Sequence, residues 1–228
     1  MKKYKIIYDD QDLLVVCKFA GLAVQSARVS TPDLMSLLRN EMLERGEKKP
    51  YLGLVNRLDQ PVEGIVLIGK NEKAAADLSR QVTDHIHMEK WYQTVVCGKP
   101  ERREDTLVDY LLKDSRTNTS KVVKEGTPGS KRSELHYEVL ASDGEKTLLR
   151  IRLLTGRHHQ IRAQLSKIGC PIKGDLKYGA KRSNPDGGIS LHSRSVTFLH
   201  PVRKEPLTVT APVPEGDNLW AFFADAVR

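Results

Sequence analysis

A single carboxylate, Asp59, stands in the stretch "NRLDQPVEGIVLIGK", two residues after Arg57 and just ahead of Pro61 and Gly64. A lone acid at such a place is ordinarily a turn residue held by a surface ion pair. It becomes a candidate for chemistry if the chain supplies a cation to keep it ionised and a group to hold a substrate. "LLTGRHHQIRAQL" offers the cation, because a strand leaving through Thr155-Gly156 runs into a helix that carries Arg162. A guanidinium stays charged at all accessible pH and forks onto a carboxylate, so it could hold a buried Asp59 in its anionic form. "KWYQTVVCG" offers the holding group: Trp91 and Tyr92 open a strand, and since neighbours on a strand face opposite ways, one ring packs inward while the other is presented. A presented ring can stack on a nucleobase.

Other pairings do less. Asp59 and Glu63 as a glycosidase acid pair are separated by Pro61, which spoils helical spacing, and no sugar-binding aromatics follow. His158 and His159 are helix neighbours that diverge by about 100° and poorly share a metal, so a structural or RNA-contacting role is expected. His85 and His87 sit at an expected helix end, where the dipole favours them. "GDLKYGAKRSNPDGG" lacks the GK[ST] ending of a phosphate-binding P-loop and reads as a loop near the site.

The elements that must position these residues follow from periodicity. Residues 4–9 and 12–18 read as a hairpin; Thr31 and Pro32 open a helix that Gly46 ends; "GIVLIGK" is a buried strand, and Asn71 caps the helix after it. Strands are expected over 90–98, 133–142 and 146–154, the last two joined by the hairpin signal Asp143-Gly144. Ile161, Leu165 and Ile168 make one face of a helix that Gly169 ends. "ISLHSRSVTFLH" and "EPLTVTAPV" add strands before an amphipathic tail, "NLWAFFADAV". Hairpins interspersed with isolated helices predict an α+β fold on a mixed, largely antiparallel sheet flanked by helices and loops. Stretches 113–132 and 179–188 are expected to be long loops; the first carries Lys113, Arg116, Lys121, Lys124, Lys131 and Arg132, as a solvated face or a phosphate-contacting arm.

The 228 residues can bury a substantial core, and no linker, repeat or low-complexity tract divides them. Lys plus Arg number 37 against 29 Asp plus Glu, and the net charge of +8 favours a polyanionic partner. Cys17, Cys97 and Cys170 are odd in number and widely spaced, which suits reduced thiols rather than a disulfide framework or a zinc site. With neither a signal-peptide core nor about 18 consecutive apolar residues, a soluble cytoplasmic protein is expected.

Five of these motifs, "NRLDQPVEGIVLIGK", "KWYQTVVCG", "TGRHHQIRAQL", "GDLKYG" and "LHSRSVTFLHP", occur in the order seen in pseudouridine synthases of the RluA type, which the chain resembles from about residue 6 to residue 214. The resemblance implies the fold of those enzymes' catalytic domain and isomerisation of uridine in ribosomal (23S) or transfer RNA, without cofactor or metal. Asp59 matches the catalytic aspartate of their HRLD motif, and Arg57 the arginine that can enter the RNA helix where the target base has left. Tyr92 matches the tyrosine that stacks on the uracil, and Arg162 the basic partner of the aspartate. Asn56 stands where the motif has His, and Val62-Glu63-Gly64 where Thr-Ser-Gly is usual. Many family members add an N-terminal S4 RNA-binding domain; here residues 1–228 are expected to be one catalytic domain that meets RNA as a monomer. The competing expectation is an inactive RNA-binding or chaperone-like module that has kept the fold.

One carboxylate is enough for this reaction. The N1–C1′ bond breaks, the base turns while held, and C5 joins C1′, so no water need be activated and the base never departs. Whether the aspartate attacks C1′ or the base, or removes the 2′ proton to give a glycal, is open at this stage.

Overall fold

In the computed structural model, which describes residues 3–26, 31–84, 86–214, 220, 223 and 226, the first two strands are the expected hairpin. Strand β1 (Tyr4–Asp9) pairs antiparallel with β2 (Leu13–Lys18), and Asp10 closes the turn by accepting the amides of Asp12 and Leu13 at 2.9 and 2.8 Å. Helix α1 (Leu34–Glu44) follows. Its cap is Asp33 rather than Thr31: the carboxylate accepts the Ser36 amide at 2.8 Å while Ser36 Oγ accepts the Asp33 amide at 3.0 Å. An ionised cap outcompetes a hydroxyl at the positive end of a helix, and Pro32, which lacks an N–H, is left just outside it.

The short β3 (Gly53–Leu54) and β4 (Glu63–Gly69) bracket the segment that carries Asp59. Helix α2 (Glu72–Asp84) is capped by Asn71 as expected, Oδ1 accepting the Ala74 amide at 2.9 Å. It lays Ala74, Ala75 and Leu78 on the sheet, and its Gln81 amide pairs with both backbone groups of Leu199 at 2.8 and 2.9 Å.

Strands β5 (Glu89–Cys97), β6 (Glu104–Asp114), β7 (Thr119–Val123), β8 (Lys131–Ser142) and β9 (Lys146–Leu153) follow. The β8–β9 hairpin turns at Asp143-Gly144 as its sequence predicts, with Gly144 at φ 97°. The stretch 113–132 is not a long loop. It contains the end of β6, all of β7 and the start of β8, joined by tight turns; cross-strand pairing was masked in the sequence by alternating lysines and hydroxyl residues.

Helix α3 (Gln160–Lys167) is shorter than its pattern and buried on more than one face, with Gln160, Arg162 and Gln164 as enclosed as Ile161 and Leu165. A 3-10 turn (Leu176–Tyr178), β10 (Leu191–Leu199) and β11 (Pro206–Thr210) complete the order. His85 and most of the tail 218–227 lie outside the described residues.

Two compact units result. The first, Met1–Glu89 with Ser193–Pro212, orders its strands β1-β2-β4-β10, with β3 beside β4 and β11 beside β10. Its core is Leu13, Val15, Cys17, Ile65, Leu67, Leu78, Val196 and Phe198. The second, Lys90–His192 with Val213–Arg228, orders its strands β5-β9-β8-β6-β7, with α3 against β6 and β7. Every pairing with a described register is antiparallel, in an α+β arrangement.

Gly64 is the tightest backbone contact of the first unit. It lies at φ 122°, and a Cβ there would fall 2.6 Å from Ser193 N and 2.8 Å from Ser193 Cα. Both the dihedral and the neighbouring strand exclude a side chain, so Gly64→Ala is expected to cost about 3 kcal/mol or more, read as a lower urea midpoint at unchanged slope.

Candidate active site

The Asp59 segment is fixed to β4 by the residue that departs from the expected motif. The Asn56 side chain donates to Ile65 O at 3.1 Å and accepts the Leu67 amide at 2.7 Å, so its amide stands in for one rung of a strand pair. The Val55 amide continues the ladder to Leu67 O at 3.0 Å. Leu58 is buried beside Asp59, and Asp59 O accepts the Val62 amide at 3.0 Å, closing a tight turn over Gln60-Pro61. Gln60 ties that turn to the chain after β2, its carbonyl accepting the Gly21 amide at 2.9 Å and its Nε2 donating to Gly21 O at 3.0 Å. The Asp59 side chain is half-buried; Arg57 is exposed, and its Nη2 reaches Gln25 Oε1 at 3.3 Å.

Beneath the turn lies a residue that the sequence reading passed over. Lys18 is fully buried, and its Nζ donates to Val62 O at 2.6 Å, Phe19 O at 3.1 Å and Gln60 O at 3.2 Å. An ammonium so placed satisfies two carbonyls of the turn and that of Phe19, and sets a positive charge near Asp59 and Glu63. Burial pulls its pKa down to about 8, and those two carboxylates offset part of the fall. The only sequence signal was its place at the end of an otherwise apolar strand.

Lys18→Met should destabilise the protein by about 2–4 kcal/mol at neutral pH, because it strands those carbonyls. The pH dependence follows from the direction of the shift. Between about pH 8 and the ordinary lysine value of 10.5 the unfolded chain keeps a proton that the folded protein has released, so wild-type stability gains on the variant across that window. Urea titrations of both proteins at pH 7.5 and 10.5 measure it.

In the second unit, Tyr92 is buried on β5, in register with Ile151 of β9, which is in turn opposite Tyr137 of β8. Trp91 faces the other way, with the Arg150 guanidinium 4.9 Å from its ring centroid. The turn that leads to Arg162 is locked by Gln160, whose Oε1 accepts Thr155 Oγ1 at 2.8 Å and the Arg157 amide at 3.0 Å and whose Nε2 donates to Glu134 O at 3.0 Å. His159 takes the left-handed conformation, φ 51°, to start the helix.

Arg162 forks onto Asp175: Nε to Oδ2 is 2.7 Å and Nη2 to Oδ1 is 2.9 Å, with both side chains buried. Its guanidinium also lies 4.9 Å from the Tyr178 ring centroid. The Tyr178 hydroxyl meets His159 Nδ1 at 2.9 Å and accepts the Ser120 amide at 2.7 Å, and His158 stacks on His159 at 3.8 Å. The two histidines are thus structural partners of this cluster. "GDLKYG" supplies Asp175 and Tyr178, a role that composition alone did not reveal.

The structure therefore sets Asp59 and Arg57 on one turn of the first unit, and Tyr92 and Arg162 on a strand and a helix of the second. Among the described residues no helix is long and apolar enough to cross a membrane.

Residues 12–167 match the family model described as RNA pseudouridylate synthase, and the chain belongs to that family. It is 32% identical over 218 residues to an uncharacterized RNA pseudouridine synthase, YlyB, of Bacillus subtilis, covering 92% of this chain and 69% of that one. It is 31% identical to ribosomal large subunit pseudouridine synthase C of Buchnera aphidicola, covering 91% of this chain and 66% of the relative. The chain thus spans about two thirds of the length of these two relatives. The solved structure of human RNA Pseudouridylate Synthase Domain Containing 4 superposes with a TM-score of 0.76 over 97% of this chain and 91% of that one, at 22% identity, and shows the same fold. The reaction of the family is the isomerisation of uridine in RNA.

Proposed function

We propose that the chain converts specific uridines of ribosomal (23S) or transfer RNA to pseudouridine, with Asp59 as the catalytic carboxylate. The observation that carries this reading is the Asp59 turn, which Asn56, Gln60 and Lys18 hold from three sides and which leaves the carboxylate half-buried. Names of relatives such as the ribosomal large subunit enzyme of Buchnera support ribosomal RNA as substrate. The two units together act as one catalytic domain, a cytoplasmic monomer that uses no cofactor.

In this reading Asp59 stabilises or captures the centre released when the N1–C1′ bond breaks. The base turns, C5 bonds to C1′, the C5 hydrogen leaves as a proton and N1 takes one up, so substrate and product are isomers. Tyr92 stacks on the freed uracil, Arg57 fills the place in the RNA that the flipped nucleotide vacates, and Arg162 serves as the basic partner of the aspartate. Tyr92→Phe keeps the stacking face and should lose less activity than Tyr92→Ala, whose loss of a stack worth about 1–3 kcal/mol should lower kcat/KM by roughly ten- to hundredfold; equal losses would assign the role to the hydroxyl.

The test is pseudouridine mapping of total RNA from cells with and without the gene, with rescue by wild type or Asp59→Ala. A defined pseudouridine that disappears and returns only with wild type establishes the activity and its target. An unchanged map, with purified protein binding RNA but converting no uridine, refutes it.

A further inference from the structure

Residues 113–132 hold six cations, Lys113, Arg116, Lys121, Lys124, Lys131 and Arg132, against two carboxylates, Asp114 and Glu125, so four of the chain's net eight positive charges lie in this short stretch. They are carried on paired strands and their tight turns, not on a long loop. Strands β6 and β7 pair from Tyr110↔Val123 to Asp114↔Thr119, and Asp114 closes the tip by accepting the amides of Arg116 and Thr117 at 2.9 and 3.3 Å. The registers fix the directions. Lys113 shares a face with Ser120, and Lys131 with Leu111 and Val122, the side packed by α3; Lys121 and Arg132 share the other face with their partners Leu112 and Tyr110; Arg116 and Lys124 occupy the two turns.

Both acids of the stretch are already engaged, Asp114 with the tip amides and Glu125 with the Tyr110 hydroxyl. Arg132 pairs with Glu134 at 2.6 Å; among the described residues none of the other five has a carboxylate within ion-pair distance. A protein surface normally interleaves its charges. Lys121 still feels Asp114, but an arm with exposed cations on two faces and at both turns, five of them outside ion-pair distance of any described carboxylate, carries a charge suited to phosphates.

The arm is joined, next to its tip, to the cluster that holds Arg162. Ser120 Oγ donates to His158 O at 2.7 Å and sits 2.9 Å from His158 Nδ1, while its amide donates to the Tyr178 hydroxyl, and the Tyr178 ring lies under the Arg162 guanidinium.

We propose that the β6–β7 arm is a phosphate-binding arm for the RNA backbone, seated through Ser120 on the Arg162 cluster so that RNA is gripped close to that arginine. This rests on reading the chain as an RNA enzyme and assigns a surface that the reaction itself does not require.

The test compares three variants with wild type for binding of a fluorescein-labelled RNA stem-loop across a KCl series. Lys113→Gln/Arg116→Gln/Lys121→Gln/Lys124→Gln removes four arm charges. Lys5→Gln/Lys48→Gln/Lys49→Gln/Lys73→Gln removes four exposed charges from the first unit. Lys113→Arg/Lys121→Arg/Lys124→Arg keeps the arm's charge. The glutamine arm variant should reduce the log Kd against log salt slope by about three and weaken binding at least about tenfold, while the other two stay near wild type. With a substrate RNA it should raise KM and spare kcat. An arm variant whose slope and Kd match those of the first-unit control overturns the proposal. These outcomes do not depend on turnover: a wild type that binds the stem-loop but forms no pseudouridine in cellular RNA refutes the proposed activity, and the slopes still decide the role of the arm.

Discussion

Asp59→Asn is expected to lower the single-turnover rate of pseudouridine formation by about four orders of magnitude or more, as removal of a sole reactive group does elsewhere, with Asp59→Ala no better. The amide keeps the shape and loses the charge, and with it both the nucleophile and any base. The described bonds that close the turn run through Asp59 O, Gln60 and Lys18. Stability should therefore change by no more than about 1 kcal/mol, and RNA affinity should be close to that of wild type. Tritium release from RNA labelled at uridine C5 measures the rate, since the hydrogen at C5 leaves when C5 becomes the glycosidic carbon. A variant that retained turnover would show that Asp59 is a turn residue, and a variant that lost folding and activity together would leave Lys18 without its counter-charge as the cause.

What could be read in advance was what local chemistry dictates. The Asp143-Gly144 hairpin, the Asn71 cap and the strand before it follow from dihedral and capping preferences that few neighbours can override. The residues that serve the site from a distance were not legible. Lys18 looks like the polar end of a strand until the turn over Gln60-Pro61 is seen to lay two carbonyls on its ammonium, with Phe19 O as the third. Asn56 reads as a departure from the HRLD pattern, yet an amide serves the β4 ladder because it both donates and accepts. The β6–β7 arm was missed for a related reason: β7 sets Lys121 between Thr119 and Val123 on one face and Ser120 beside Val122 on the other, so it lacked the apolar alternation that marks a strand. Asp175 is the sharpest case, since the carboxylate that Arg162 demonstrably grips lies 13 residues on, in a stretch that read as a glycine-rich loop.

That pairing sets the second large effect. Arg162→Met should destabilise the protein by about 3–5 kcal/mol, because it leaves the Asp175 carboxylate, almost wholly shielded from water, with no counter-charge. It should also abolish turnover, so the single variant cannot separate a collapsed second unit from a lost catalytic partner. Asp175→Leu in the same background removes the stranded charge and fills its place with an apolar side chain, a replacement that buried ion pairs tolerate well. The double variant Arg162→Met/Asp175→Leu is therefore expected to recover most of the urea midpoint and none of the activity. Asp175→Asn alone should show the complementary pattern: the fork keeps an acceptor and loses its charge assistance, stability falls by about 1–3 kcal/mol, and turnover drops without vanishing because Arg162 remains but is less firmly aimed. If the double variant regained activity along with its stability, Arg162 would be a structural cation rather than a partner of Asp59, and Lys18, already beneath the turn, would be the cation to vary next.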